Sequence, residues 1–257
     1  MTRPSVLVTG GAQRIGAAIS RRFAAAGWHV VIHCRRSLEQ GKALADELRG
    51  EAVTCDLADG DAAVAMVTEL AKRLGDWRAL VNSASVFRPD DVAALDIGIN
   101  WEAMQVNACT PAEMAQAYLL QARSTAGRRV IQLTDQKLAN PNPDFFSYTM
   151  SKHAAAATVP MLAMAARDRS GPDDRIYALA PGAILPSHDQ GEEEAEVSHR
   201  LNLLERRTGA DEVAEAAFFL ATGPLASGQT LFVDSGQHLL AQRRDVMYLA
   251  REEGLSA

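Results

Sequence analysis

Tyr148-Thr-Met-Ser-Lys152 sets a phenol and an ammonium four positions apart. On a helix that spacing puts both side chains on one face, within reach of a common ligand. A free tyrosine ionises at a pH of about 10, and a neighbouring cation favours the phenolate, so the pair suits proton exchange near neutral pH during hydride chemistry. An ordinary exposed helical pair is the alternative. A second group lies near the start, where Thr9-Gly10-Gly11-Ala12-Gln13-Arg14-Ile15-Gly16 follows the apolar run Ser5 to Val8. A glycine turn between a strand and a helix gathers free N–H groups and the positive end of the helix dipole at one point, which suits a pyrophosphate. The spacing departs from GxGxxG, so a plain strand-to-helix turn remains the competing reading.

The third group is His33-Cys34-Arg35-Arg36-Ser37, at the end of what reads as the second strand. An acid there would accept from a ribose 2′-OH, whereas two guanidiniums beside a hydroxyl suit a 2′-phosphate. If a dinucleotide binds, this segment selects NADP(H) over NAD(H); otherwise the arginines are a solvated pair.

These residues require a scaffold of alternating strands and helices. The strand-like runs are Ser5 to Thr9, Trp28 to His33, Ala52 to Cys55, Ala79 to Asn82, Arg128 to Thr134, Arg175 to Ala180 and Thr230 to Val233. Helical patterns fill the intervals: Arg14 to Ala26, Leu38 to Leu48, Asp59 to Leu74, one long helix from about Asn100 to Ala126, and another from about Phe145 to Arg167. Such alternation implies parallel pairing with right-handed crossovers. The expected fold is therefore a single-domain, Rossmann-type, doubly wound α/β structure with seven parallel strands flanked by helices. Pro160 should kink or break the last of these helices, about three turns beyond Tyr148. The polar stretch Pro186 to Glu196 reads as a mobile loop over the site or as a solvated surface loop.

With 257 residues, 47% hydrophobic and 23% charged, the chain can bury a sizeable core. Its net charge of −6 argues against nucleic acid as a partner. Three cysteines, Cys34, Cys55 and Cys109, offer neither a disulfide framework nor a zinc pattern. His188 and His199 flank Glu192-Glu193-Glu194 without fixed ligand spacing, so no metal is expected. No apolar stretch approaches the ~20 residues needed to span a bilayer, and the first residues lack signal-peptide architecture. A cytoplasmic location, with no membrane partner, is expected.

Taken together, the motifs resemble the short-chain dehydrogenase/reductase family over essentially the whole chain. The family's TGxxxGxG turn matches Thr9 to Gly16, its adenine contact matches Asp56-Leu57, and its NNAG segment matches Asn82-Ser83-Ala84-Ser85. Its structural-catalytic asparagine matches Asn107, its YxxxK matches Tyr148 and Lys152, its Pro-Gly matches Pro181-Gly182, and its late glycine segment matches Gly228 to Gly236. The resemblance implies an NADPH-dependent reductase with Asp135, Tyr148, Lys152 and Asn107 as its catalytic set. Asn107 would act indirectly, through the helix geometry and a water leading to Lys152. Gly10, Arg14, Ile15, Gly16, His33, Arg35, Arg36, Ser37, Asp56, Leu57, Asn82, Ala84, Ser85, Tyr148, Lys152, Pro181 and Gly182 would hold the cofactor. It also implies a homotetramer, with residues 1–240 as the reductase domain and 241–257 as a motif-free tail that reaches a neighbouring subunit or frays.

Two departures from the family pattern are informative. Arg14 replaces the middle glycine of the turn, and Asp135 stands thirteen residues before Tyr148, where the family has serine. With His33 to Ser37 and Phe87, they resemble the pteridine reductase branch. A serine hydroxyl suits polarisation of a ketone oxygen, whereas a carboxyl group can bond amino and ring N–H groups or help protonate a ring nitrogen. The substrate expected from this resemblance is a small pterin of the dihydromonapterin, dihydrobiopterin or dihydrofolate kind. Phe87 would stack on it, with Arg14, Ser85, Asp135 and Tyr148 as further contacts. The alternatives are a reductase of ketones, quinones or 3-oxoacyl groups, and a non-catalytic NADP-binding protein.

Overall fold

The computed structural model describes residues 3–170, 173–187 and 190–254. Strands β1 (Ser5–Val8), β2 (His29–Cys34), β3 (Glu51–Thr54), β4 (Trp77–Asn82), β5 (Arg129–Leu133), β6 (Arg175–Pro181) and β7 (Thr230–Val233) form one sheet in the order β3-β2-β1-β4-β5-β6-β7. Every pairing is parallel. The chain winds outward from β1 in one direction and from β4 in the other, so the switch point lies between them, where such sheets place their ligand crevice.

Both faces of the sheet are covered, which is why its central strands are apolar at consecutive positions rather than alternately. Val6 and Val8 of β1 face one core layer while Leu7 faces the other. The first layer packs Ile19 and Phe23 of α1 (Arg14–Ala25), Leu44 of α2 (Leu38–Leu48) and Val213 and Leu220 of α8 (Ala210–Thr222). The second packs Val67 and Leu70 of α3 (Gly60–Arg73), Met114 and Tyr118 of α5 (Thr110–Gln121) and Val159 of α6 (Phe146–Ser170). The N-cap of α3 is Asp59, which accepts from Ala62 N at 3.0 Å.

Three expectations are corrected. The single helix from Asn100 to Ala126 is instead α4 (Ile97–Met104), a π-helical turn at Gln105–Cys109 and α5, and it ends at Gln121. The wide turn frees the Asn107 carbonyl to accept from Gln132 Nε2 at 3.4 Å. Pro160 does not end α6, which runs through it. Its ring lies on the exposed side, so water can satisfy the carbonyl that loses its donor. Part of Pro186 to Glu196 is helical, since α7 spans Glu192–Ser198; His188 and Asp189 lie outside the described residues.

The last helix, α9 (Val246–Gly254), packs beside α7, and the Arg251 guanidinium meets Glu194 at 2.7 Å. Over its described residues the 241–257 tail folds back on its own domain rather than fraying. Among the described residues, no helix is long and apolar enough to cross a membrane.

Candidate active site

The carboxyl ends of β1, β4, β5 and β6 open into a cleft of about 350 Å³. Its floor at β1 is the glycine turn. Thr9 Oγ1 accepts from Ser83 N (2.9 Å) and Ala84 N (3.0 Å), tying the turn to the loop after β4. Gly10 has φ +62°, and a Cβ there would stand 3.0 Å from Ala84 Cα; one on Gly16 would stand 2.2 Å from Gly10 O. Only glycine fits at these two positions. Arg14 also has a positive φ, +52°, in the left-handed range that favours glycine, so its backbone bears the strain of a side chain there. Its Nη2 donates to Leu185 O at 3.3 Å, across the mouth of the cleft.

The first intrahelical bond of α1 runs from Ala17 N to Gln13 O (3.0 Å), so the N–H groups of Arg14, Ile15 and Gly16 precede it. No acidic residue lies in that first turn. The turn is therefore a row of donors at the positive end of a helix, which fits a pyrophosphate.

Arg35 and Arg36 are exposed at the end of β2, outside the enclosed part of the cleft. Arg35 Nη1 stands 3.7 Å from both Asp56 Oδ1 and Glu102 Oε1. Ser37 Oγ accepts from Gln13 Nε2 at 3.1 Å. Arg35, Arg36 and Ser37 follow directly on the end of β2.

Two expected cofactor contacts, His33 and Asn82, make structural hydrogen bonds with their side chains. His33 is buried, with Nδ1 accepting from Gly10 N at 3.3 Å and Nε2 meeting Cys55 O at 3.0 Å. Burial pushes its pKa down, so it is a neutral brace between the turn and β3. Asn82 is also buried; its amide donates to Gln132 Oε1 (3.0 Å) and Pro111 O (3.3 Å), and it does not line the cleft. Leu57 is buried too, its carbonyl accepting from Thr110 Oγ1 at 2.8 Å. Ala84, Ser85, Pro181 and Gly182 do line the cleft.

At the inner end, Tyr148 and Lys152 lie on successive turns of α6. The start of that helix is clamped by Asp90, whose carbonyl accepts from Phe145 N at 2.8 Å and whose carboxylate accepts from Ser147 N at 3.1 Å. Tyr148 Oη donates to Asp135 Oδ2 at 2.7 Å, and Asp135 Oδ1 accepts from Lys137 N at 2.9 Å. Lys152 Nζ donates to Leu133 O at 2.9 Å and stands 5.4 Å from the Tyr148 ring centre.

Tyr148 is not a phenolate here. Burial first, and then the Asp135 carboxylate beside it, push its pKa well above the usual value. Burial also raises Asp135 and brings Lys152 down to about 8. The expected effect of Lys152 is outweighed because the phenol faces the carboxylate at hydrogen-bond distance while the ammonium turns to a carbonyl.

Asn107 does not line the cleft. Its Oδ1 accepts from Val86 N (2.7 Å), and its Nδ2 donates to Val86 O and Ser151 Oγ (2.9 Å each), joining the loop that carries Phe87 to α6. Phe87 lines the cleft, stacked on Phe145 with ring centres 4.2 Å apart and edge-on to Tyr148 at 4.6 Å.

Sequence reasoning missed Lys137, His199, Asp245, Val246 and Met247, all of which line the cleft. His199 is buried and held down to about pKa 4, chiefly by that burial. Its Nδ1 has no hydrogen-bond partner. None of the five belongs to a motif, and the C-terminal three reach the site only through the fold-back of α9. Among the described residues, no group of three or more His, Cys, Asp or Glu is placed to hold a metal.

Against known proteins, a family profile described as "Enoyl-(Acyl carrier protein) reductase" matches residues 10–238. The fold is similar to the crystal structure of FolM alternative dihydrofolate reductase 1 from Brucella suis in complex with NADP, with a TM-score of 0.85 and 34% identity over 93% of this chain and 96% of that one. In sequence the chain is 29% identical to a granaticin polyketide synthase putative ketoacyl reductase 2 from Streptomyces violaceoruber, covering 92% of this chain and 97% of the relative. It is 26% identical to a dihydromonapterin reductase from Escherichia coli O6:K15:H31, covering 91% and 96%. Sheet order, turn, YxxxK pair and these likenesses agree, and the chain belongs to the short-chain dehydrogenase/reductase family of oxidoreductases.

Proposed function

We propose that the protein is an NADPH-dependent reductase of a dihydropterin, acting on a C=N bond. The observation that carries this reading is the Tyr148 Oη to Asp135 Oδ2 hydrogen bond of 2.7 Å on the floor of the cleft. A carboxylate there accepts from the amino and ring N–H groups of a pterin, which a serine hydroxyl does less well. The Brucella suis relative and the dihydromonapterin reductase support the same substrate class.

For the cofactor, Gly10, Arg14, Ile15 and Gly16 would hold the pyrophosphate, and Arg35, Arg36 and Ser37 the 2′-phosphate. Asp56 and Leu57 would border the adenine, Ala84 and Ser85 the ribose, and Pro181 and Gly182 the nicotinamide. NADPH, when bound, supplies the hydride. Tyr148 keeps its proton at Oη until the substrate nitrogen becomes basic, and then donates it. Asp135 orients the phenol and binds the ring, Lys152 supplies positive charge against the phenolate left behind, and Asn107 holds the Phe87 loop against α6. Phe87 gives the flat ring an aromatic wall, worth roughly 0.5–1.5 kcal/mol beyond area burial.

A carbonyl reductase is the second reading, supported by the ketoacyl reductase relative and by a protonated Tyr148 able to serve a ketone oxygen. NADPH oxidation with dihydromonapterin, dihydrobiopterin and dihydrofolate, against a simple ketone and a quinone, separates the two. Preference for a pterin is expected; turnover of the carbonyls alone would replace the first reading with the second. We further propose a cytoplasmic homotetramer, testable by light scattering.

A further inference from the structure

Asp135 is held at both oxygens, by the Tyr148 phenol and by the backbone N–H of Lys137 (2.7 and 2.9 Å). Lys137 belongs to the short 3-10 turn Gln136–Leu138, so the direction of the Asp135 carboxylate depends on where that turn sits. The turn is pinned from its far side. The Lys137 side chain is buried, and its Nζ uses three acceptors: Asp245 Oδ2 at 2.8 Å, Asn142 Oδ1 at 3.1 Å and Asp144 O at 3.3 Å. Of these, only Asp245 carries a charge, and it comes from the segment just before α9.

That segment is laced to the loop between β5 and α6. Gln242 N donates to Asn140 Oδ1 (3.2 Å), and Arg244 Nε and Asp245 N both donate to Asp144 Oδ2 (2.8 Å each). Asn140 Nδ2 also donates to Leu240 O. Asp245 Oδ1 caps α9 by accepting from Met247 N at 3.1 Å, and Met247 packs against Phe145 and Tyr148. Among the described residues, the other charged or titratable groups around this centre include Lys152 and His153 of α6, with His153 Nε2 3.2 Å from Lys137 O, Tyr248 of α9, and the Asp144 carboxylate already held by Arg244.

We propose that Asp245 is a positioning residue: through its ion pair with Lys137 it fixes the turn that aims the Asp135 carboxylate at Tyr148, so the C-terminal segment sets the geometry of the reacting centre. This rests on the reading of Asp135 and Tyr148 as the catalytic pair. A buried cation stripped of its partner is costly, so the ion pair also holds the segment down over the cleft.

The test uses the full chain with NADPH and dihydromonapterin, comparing Asp245→Asn, Asp245→Glu, Lys137→Met, the double variant Asp245→Asn with Lys137→Met, and Asp135→Asn. Asp245→Asn should lower kcat by up to ~100-fold, the scale of a misplaced catalytic group. Its pH–rate profile should move toward acid, since a negative charge near Tyr148 is lost and the Lys137 cation beside Asp135 is left unpaired. Asp245→Glu should restore much of the rate. The double variant should be no worse than Lys137→Met, because both act through one contact. NADPH affinity by fluorescence titration should change little, and each variant should remain folded at the assay temperature although the melting temperature of Asp245→Asn falls.

A wild-type kcat and pH profile in Asp245→Asn, with Asp135→Asn inactive, overturns the inference and leaves the catalytic pair standing. Loss of rate matched by loss of NADPH binding or of the folded state also overturns it, since the role is then only structural. Full turnover in Asp135→Asn overturns the catalytic pair itself, and this inference with it.

Discussion

The two ends of the cleft are built on opposite principles. At the outer end Arg35 and Arg36 are exposed, and among the described residues the ion pairs of Arg35 are the 3.7 Å approaches of Asp56 and Glu102. At the inner end Tyr148 and Lys152 are buried and Asp135 is half-buried, and each has a fixed hydrogen-bond partner. Exposed charges in water are worth little until a ligand brings the opposite charge, so the outer end is an open electrostatic receptor. Buried groups have their proton affinities set in advance, so the inner end is prepared for proton transfer before substrate arrives. On the proposed function, binding selectivity is separated from chemistry between these two regions.

Tyr148→Phe breaks the inner end alone and carries the largest expected effect. Turnover should fall on the order of 10²–10⁴-fold, the usual contribution of general acid catalysis, with NADPH affinity near wild type by fluorescence titration. Coupled loss of cofactor binding would contradict the separation.

Arg35→Ala combined with Arg36→Ala breaks the outer end. Charge-assisted bonds of about 1.5–3 kcal/mol imply a rise of roughly 10- to 100-fold in KM for NADPH, with little change in KM for NADH or in kcat. An equal effect on NADH would mean that the arginines do not read the 2′-phosphate.

The pH dependence of kcat sharpens the contrast. Burial holds the Lys152 ammonium at about 8, so the cation is present below that pH and lost above it. The rate should decline as pH rises through about 8, and this limb should vanish in Lys152→Met, whose residual rate should be low and flat with pH. The smallest effect belongs to Arg14→Gly. Glycine relieves the left-handed strain at φ +52° and should raise stability to denaturant by about 1 kcal/mol, while loosening the contact with Leu185 O.

Much of this was legible in one dimension because the signals are local. A strand followed by Gly10 and Gly16, a helix carrying Tyr148 and Lys152, and alternating elements that demand parallel pairing are all short-range patterns, and each emerged close to its expected place. What lay outside the sequence shares a cause. The side chains of His33 and Asn82 were read by position in a motif, and which way each turns at a strand end depends on neighbours such as Cys55 and Gln132 that are distant in sequence. The long helix through Asn107 was misjudged because the Asn107 side chain, in the π-helical turn, bonds Val86 and Ser151, partners distant in sequence.

The sequence by itself determined the doubly wound sheet, the glycine turn and the identity of the phenol, ammonium and carboxylate, since those follow from periodicity and spacing. Only the tertiary structure decided that Tyr148 faces Asp135 rather than Lys152, and that its proton is therefore held rather than released. It alone brought Asp245 and Met247, about a hundred residues after Tyr148, over the same cleft. Proton affinity depends on burial and on charges a few ångströms away, and no spacing along the chain encodes either.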